Sequence, residues 1–346
     1  MFGKLSLTVL AAGLAFATPV TARDLTVVGF GGAAQESFRQ TLFKAYMETT
    51  GQPLQEDEWD GQLAKVRAQI ESGAVTWDVI LSEGAEVRIG CEEGLFEKLE
   101  WSKIAKPEDL YPPAVHPCGL GVSSWSSALA YDGDKLAEGP KTWADFWDVQ
   151  KFPGKRGMRF SPKETLQQAL MADGVAPADV SRVLAEPGGV DRAFKKLDEL
   201  KPNILWWKTG AESIQRLAAG EVVMTTAWNG RPYNANKTDG RHFVIVWSAG
   251  HVLGVDSWAI LKGSENTDGA HKLLALWATP DIEAARMQII PYSGPNVHVY
   301  DLLSPELSAE LPTSPTNLPY AAPIDYDFWV DNLESLNERF TAWVNQ

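Results

Sequence analysis

The chain has 346 residues with 31 basic and 45 acidic side chains, a net charge of −14, and 45% of its residues are apolar. That composition excludes a disordered chain, and its negative balance excludes a nucleic-acid backbone as the main partner. The length is near the limit for one core, so two lobes are expected, and a negative field concentrates cationic or zwitterionic solutes.

The N-terminus predicts export. Lys4 supplies a short positive region, Leu5 to Ala17 is an apolar run too short to span a bilayer, and Val20-Thr21-Ala22 has the small residues of a cleavage site. Residues 1–22 therefore read as a signal peptide, and the mature chain, starting at Arg23, carries −15 on 324 residues. In an oxidising compartment the two cysteines, Cys91 and Cys118, are expected to form one disulfide, with two buried thiols as the alternative. His116, His242, His251, His271 and His298 have no metal-ligand spacing, so no metal is expected.

Leu25-Thr26-Val27-Val28 reads as a strand that ends in Gly29, Gly31 and Gly32. Ser37 to Thr50 has helical periodicity through Phe38, Leu42, Phe43 and Met47. A helix over Leu63, Val66 and Ile70, closed by Gly73, precedes a strand at Trp77 to Leu81. This βαβαβ order marks an α/β sheet with parallel strands. Further on, a strand is expected over 126–131, with helices near 142–147, from Pro162 and over 190–200. Strands follow at 221–228, 243–247 and 257–261, then helices after Asp268, a Pro-rich stretch over 312–323 and a terminal helix over 327–344. No repeat, low-complexity block or flexible linker interrupts the pattern, which fits two lobes that share strands.

Gly29-x-Gly31-x-x-Ala34 follows a strand and opens a helix, and Glu56 to Glu58 lies about 20 residues on, the context of a dinucleotide-binding turn. An exported oxidoreductase is therefore one reading. Against it, Gln52 to Glu58 is a poor second strand, and a glycine turn that lets a ligand or partner lobe approach the backbone explains the motif more simply. No GxSxG, HExxH or GxxxxGK[ST] pattern supplies catalytic machinery, so no catalytic residue and no cofactor is expected. The chain offers aromatic rings instead: 14 tryptophans, with Trp125, Trp206, Trp207, Trp228 and Trp258 at strand ends or turns. Most are expected in cores, and a minority lining a cleft would hold an ammonium group by cation–π attraction.

Several segments, in order, carry a family resemblance. Lys141-Thr142-Trp143-Ala144-Asp145-Phe146-Trp147, Gly220-Glu221-Val222 leading to Thr226-Ala227-Trp228-Asn229-Gly230, and Asp256-Ser257-Trp258-Ala259-Ile260 are three of them. Lys272-Leu273-Leu274 to Thr279-Pro280-Asp281 and Pro291-Tyr292-Ser293-Gly294-Pro295-Asn296 complete the set. From Arg23 onward the chain resembles the spermidine/putrescine-type periplasmic solute-binding proteins of ABC importers. The resemblance implies a periplasmic binding protein type II fold, two α/β lobes joined by hinge strands with the ligand in the cleft. One lobe would take residues 23–128 plus 257–297, the other 129–256 plus 298–346. It further implies a periplasmic monomer that hands its ligand to an inner-membrane permease.

The same resemblance implies site residues. The cleft aspartate falls on Asp256, the cleft tryptophan on Trp228 and the acidic residue opening a second-lobe helix on Glu164; Gly32 and Ser127 are also expected to contact the ligand. Polyamine binders usually carry aromatic residues in the first glycine turn and after the Asp78-Val79-Ile80 strand, where this chain has Gly31-Gly32-Ala33 and Ser82-Glu83-Gly84. Arg231, after Trp228-Asn229-Gly230, would fork a carboxylate if it faces the cleft, with Asp239 or Glu221 as its internal alternatives. The expected ligand is thus a small amine, with a polyamine as the family reading and a zwitterionic ω-amino acid such as γ-aminobutyrate as the alternative.

Overall fold

The computed structural model describes residues 23–346 apart from Asp60; the expected signal peptide lies outside the described residues. Strand β1 (Leu25–Gly29) leads into α1 (Gly32–Phe38), which runs through a π-turn at Arg39–Phe43 into α2 (Lys44–Thr50). Next come β2 (Leu54–Glu58), α3 (Ala64–Ser72), β3 (Val79–Glu83) and α4 (Gly84–Glu92). The segment read as a poor strand is therefore a real one. β2 pairs in parallel with β1 along its whole length, from Leu25↔Leu54 to Gly29↔Glu58. It is largely exposed, with only Leu54 and Glu56 half-buried, as befits a sheet edge, where burial does not demand apolar side chains.

After the short β4 (Val115–His116), strand β5 (Gly119–Asp132) carries the chain out of the first lobe. The second lobe holds α5 (Trp143–Trp147), β6 (Arg156–Arg159), α6 (Pro162–Ala172), α7 (Val180–Ala185), α8 (Gly189–Leu200), β7 (Ile204–Trp207), α9 (Gly210–Ala219), β8 (Met224–Trp228), α10 (Gly230–Asp239) and β9 (Phe243–Ile245). Strand β10 (His251–Ile260) returns, followed by α11 (Thr267–Trp277), α12 (Pro280–Met287), α13 (Pro305–Ala309), β11 (Ala321–Pro323) and α14 (Tyr326–Val344). The sequence reading starts β10 at Ser257, six residues late, because Gly254 interrupts the β-branched run.

Among the described residues the strands form one curled sheet in the order β2-β1-β3-β10-β5-β8-β6-β7. β5 and β10 are its antiparallel centre. β10 pairs with β3 over Asp256–Ile260, and β5 pairs with β8 over Ser127–Tyr131, so each long strand belongs to both lobes. In the first lobe, alternate residues face opposite layers. Val27, Val79, Leu81, Trp258 and Ile260 pack on one side, and Val28, Ile80, Ala259 and Leu261 on the other, as a sheet covered on both faces requires. The second lobe closes around Trp143, Phe146, Leu170, Phe194 and Leu197, and α14 contributes Trp329 and Phe340.

Cys91 at the end of α4 and Cys118 ahead of β5 form a disulfide with Cα atoms 5.7 Å apart.

Candidate functional site

The parallel strands of both lobes aim their C-terminal ends at one cleft, the place where open α/β sheets bind ligands. Phe30 follows β1, Glu83 ends β3, Arg159 ends β6 and Trp228 ends β8. With Trp125, Arg231, Asp256 and Tyr292 they line a cavity of about 280 Å³. That is a small-molecule volume, at the low end of known ligand cavities.

Asp256 lies at the floor, beside a register shift between β10 and β5 that falls between Asp256 and Ser257. Such a bulge re-aims side chains. Trp125 Nε1 donates to Asp256 Oδ1 at 2.9 Å. The indole reaches there because its cross-strand partner is Gly254, where a Cβ would stand 2.4 Å from the ring. Burial, and then the nearby Glu83 carboxylate, push the Asp256 carboxyl up to about 7. Glu83 is the cross-strand neighbour of Asp256 and is ion-paired with Lys163 of the second lobe, which holds it below the ordinary carboxylate range.

The aromatic walls are Trp125 and Trp228, edge to face at 6.2 Å, with Phe30 stacked parallel on Trp59 at 6.0 Å. The sequence reading found no aromatic residue in the first glycine turn; Phe30, immediately before it, supplies one. Gly31, at φ 69°, takes a backbone conformation suited to glycine, and a Cβ there would collide with the Glu58 carboxylate at 2.6 Å. The GxG motif thus packs the turn against β2 and turns Phe30 toward the cleft.

Two guanidinium groups complete the lining. Arg159 is ion-paired with Glu164 and lies over the Trp228 ring, 4.9 Å from its centroid. Burial works against its charge, and Glu164 and Glu83 more than offset this. Arg231, on the first turn of α10, is exposed and has no hydrogen bond or ion pair among the described residues. Its two internal alternatives are otherwise engaged: Glu221 pairs with Arg216 at 2.9 Å, and Asp239 accepts from Thr238. Gly210 makes room for both Arg231 and Trp228, since a Cβ there would lie 2.8 Å from Arg231 Nε. Asn229 fixes this corner by accepting from Ser126 N and donating to Pro291 O at 2.7 Å, which ties the Trp228–Arg231 turn to the loop carrying Tyr292. Burial raises the Tyr292 phenol; Arg231 lowers it and Asp256 raises it, so the ring senses both charges.

The structure brings Asp256, Trp228 and Arg231 together at the cavity. Glu164 is instead fully buried beneath it, bonded to Arg159 and accepting from Trp228 Nε1 at 3.3 Å. Ser127 is buried as the cross-strand partner of Trp228 and accepts from Gln168 at 2.9 Å, and Gly32 is exposed on the first turn of α1; neither lines the cavity. Phe30, Glu83, Arg159 and Tyr292 were not singled out from the sequence. The end of each parallel strand was the available signal for the first three. Among the described residues no group of three or more His, Cys, Asp and Glu is placed to hold a metal.

A family model described as bacterial extracellular solute-binding protein matches residues 41–316. The chain belongs to that family of ABC-transporter solute-binding proteins, which are not enzymes, and the oxidoreductase reading falls. It is 44% identical to the gamma-aminobutyric acid-binding protein of Pseudomonas aeruginosa, over 99% of this chain and 97% of the relative. Identity to the spermidine/putrescine-binding periplasmic protein of Escherichia coli is 27%, over 63% of each chain. A solved GABA receptor structure superposes with a TM-score of 0.83 at 31% identity, covering 93% of this chain and 98% of that one.

Proposed function

We propose that the protein is a periplasmic receptor for a zwitterionic ω-amino acid, γ-aminobutyrate (GABA) or a close analogue, which it delivers as a monomer to an ABC permease. The observation that carries this reading is the charge pairing around the cavity. Arg159 is neutralised by Glu164 and Glu83 by Lys163, so of the charged residues lining the cavity one carboxylate, Asp256, and one cation, Arg231, have no ionic partner among the described residues. A ligand with one ammonium and one carboxylate satisfies both, and the indoles of Trp125 and Trp228 clasp the ammonium end. A polyamine would leave a second ammonium facing Arg231, a repulsive contact of the kind that enforces specificity. The 44% identical relative and the superposed GABA receptor support the same choice over the polyamine reading. With lobe boundaries at residues 128 and 256 the hinge falls inside β5 and β10, and closure of the lobes would seal the ligand.

The test is calorimetric titration of the mature chain with GABA, putrescine and spermidine. Saturable binding of GABA with no comparable binding of either polyamine is expected. Tight putrescine binding with GABA inert would overturn the reading.

A further inference from the structure

The floor of the cleft holds more negative charge than one ammonium group requires. Glu83 and Glu86 come from the first lobe, on β3 and the first turn of α4, and Asp256 from β10 at the boundary between the lobes. Asp256 and Glu83 are direct cross-strand partners, so their side chains project from the same face of the sheet. Glu86 Oε2 is buried with no hydrogen-bond partner among the described residues. The one lysine in this group is Lys163, which reaches across from the second lobe, is 5% exposed, and has its ammonium on Glu83 with Glu86 also acting on it.

How Lys163 gets there is unusual. It precedes Glu164, whose φ of 73° makes it the one non-glycine residue of positive φ among the described residues. The first turn of α6 is therefore not helical at Lys163 and Glu164. The two neighbouring side chains serve different partners: Glu164 binds Arg159 in its own lobe, and Lys163 crosses to Glu83 in the other. A non-glycine residue is held in that conformation only where surrounding contacts over-determine it.

We propose that Lys163 is a specificity-determining residue, a tethered ammonium that occupies the second carboxylate of the cleft floor and so restricts the site to ligands with a single amino group. The inference rests on the ω-amino acid reading and deepens it. With Lys163 in place, Glu83 is satisfied by the protein, and only Asp256 is open to a ligand ammonium. Without it, Glu83 and Asp256 would form a pair of neighbouring carboxylates on one face of the sheet, which suits a short α,ω-diamine held at the floor. Selectivity against diamines then comes from two cations, Arg231 at one end and Lys163 at the other, each placed where a second ammonium would sit.

The experiment compares wild type, Lys163→Met, Glu83→Gln and the Lys163→Met/Glu83→Gln double variant. Each is titrated with GABA, 1,3-diaminopropane and putrescine, and folding is checked by circular dichroism and thermal melting. Lys163→Met should gain affinity for a diamine, shifting the diamine-to-GABA ratio by roughly tenfold or more. The double variant should lose that gain, because the freed carboxylate is gone. A purely structural role for Lys163 would weaken all ligands together and move no ratio. A folded Lys163→Met with an unchanged ratio overturns the proposal.

If Lys163→Met does not fold, the Glu83→Gln arm decides. It leaves Lys163 with only Glu86 as a counter-charge beside the ligand ammonium, so GABA should bind more weakly than to wild type. Glu83→Gln that binds GABA as wild type does overturns the proposal. Failure of wild type to bind GABA would instead overturn the reading on which the inference rests, and the diamine affinity of Lys163→Met relative to wild type then decides the role of Lys163.

Discussion

Asp256 and Glu83 stand directly opposite one another on antiparallel strands β10 and β3, two carboxylates on one face of the sheet at the floor of the cleft. Like charges in this arrangement repel, and here the repulsion is resolved unequally. Lys163 keeps Glu83 ionised, while burial and Glu83 raise Asp256 to about 7. In the proposed reading a ligand ammonium supplies the counter-charge.

The first prediction follows from that shift. Asp256 keeps its proton in the folded chain at pH values where the unfolded chain has lost it. Its ionisation therefore costs the ligand-free protein stability as pH rises from about 4 toward 7, and the cost is fully present above that range. An ammonium beside Asp256 offsets it. Binding of GABA near neutral pH should release protons, affinity should fall as pH drops below about 7, and ligand should raise the melting temperature more at alkaline than at acidic pH. Glu83, Glu86, Lys163, Tyr292 and Arg286 surround the same carboxylate; Asp256→Asn should abolish the proton release if Asp256 is its source. Calorimetry in buffers of different ionisation enthalpy measures it.

Arg231→Ala should weaken GABA binding by tenfold or more, roughly 1.4 kcal/mol, because the ligand carboxylate loses its fork. Arg231 is exposed and has no bonded partner among the described residues, so the melting temperature should stay near that of wild type. Putrescine should bind no worse than before. Equal GABA affinity in variant and wild type would show that the carboxylate is held elsewhere, with Arg159 the next candidate.

Glu164 is predicted to act through stability and through the orientation of its partners. Glu164→Gln leaves the Arg159 guanidinium short of its counter-charge in a buried setting, and a loss of about 3 kcal/mol is expected, the lower end for a broken buried pair because Arg159 keeps some exposure. GABA affinity should fall as well, since Trp228 loses its acceptor. Denaturant unfolding and a ligand titration on the same preparation separate the two effects.

The disulfide joins residues 27 apart, a loop closure for which chain-entropy arguments give about 3.5 kcal/mol. Reduction should lower the melting temperature with little change in GABA affinity, because neither cysteine lines the cavity. Thiol titration of denatured, unreduced protein should find no free thiol.

Much of this protein was determined by local sequence. The alternation of strands and helices follows from hydrophobic periodicity, and the ends of α2 and α3 from Gly51 and Gly73, which adopt the left-handed conformation that closes a helix. Asp256, Trp228 and Arg231 sit in short, ordered segments that a linear reading identifies. Local sequence failed where the deciding partner is distant. β2 is acidic and weakly patterned because it is a sheet edge, and only pairing with β1 makes it a strand. Glu164 has the composition of a helix start. Its side chain instead faces Arg159 because its backbone is bent out of the helix, while Lys163 beside it reaches a carboxylate 80 residues away. Which charges are neutralised and which remain for a ligand is a sum over such long-range pairs. The sequence therefore identified Asp256, Trp228 and Arg231 one by one, and only the tertiary structure shows that, among the described residues lining the cavity, Asp256 and Arg231 have no ionic partner.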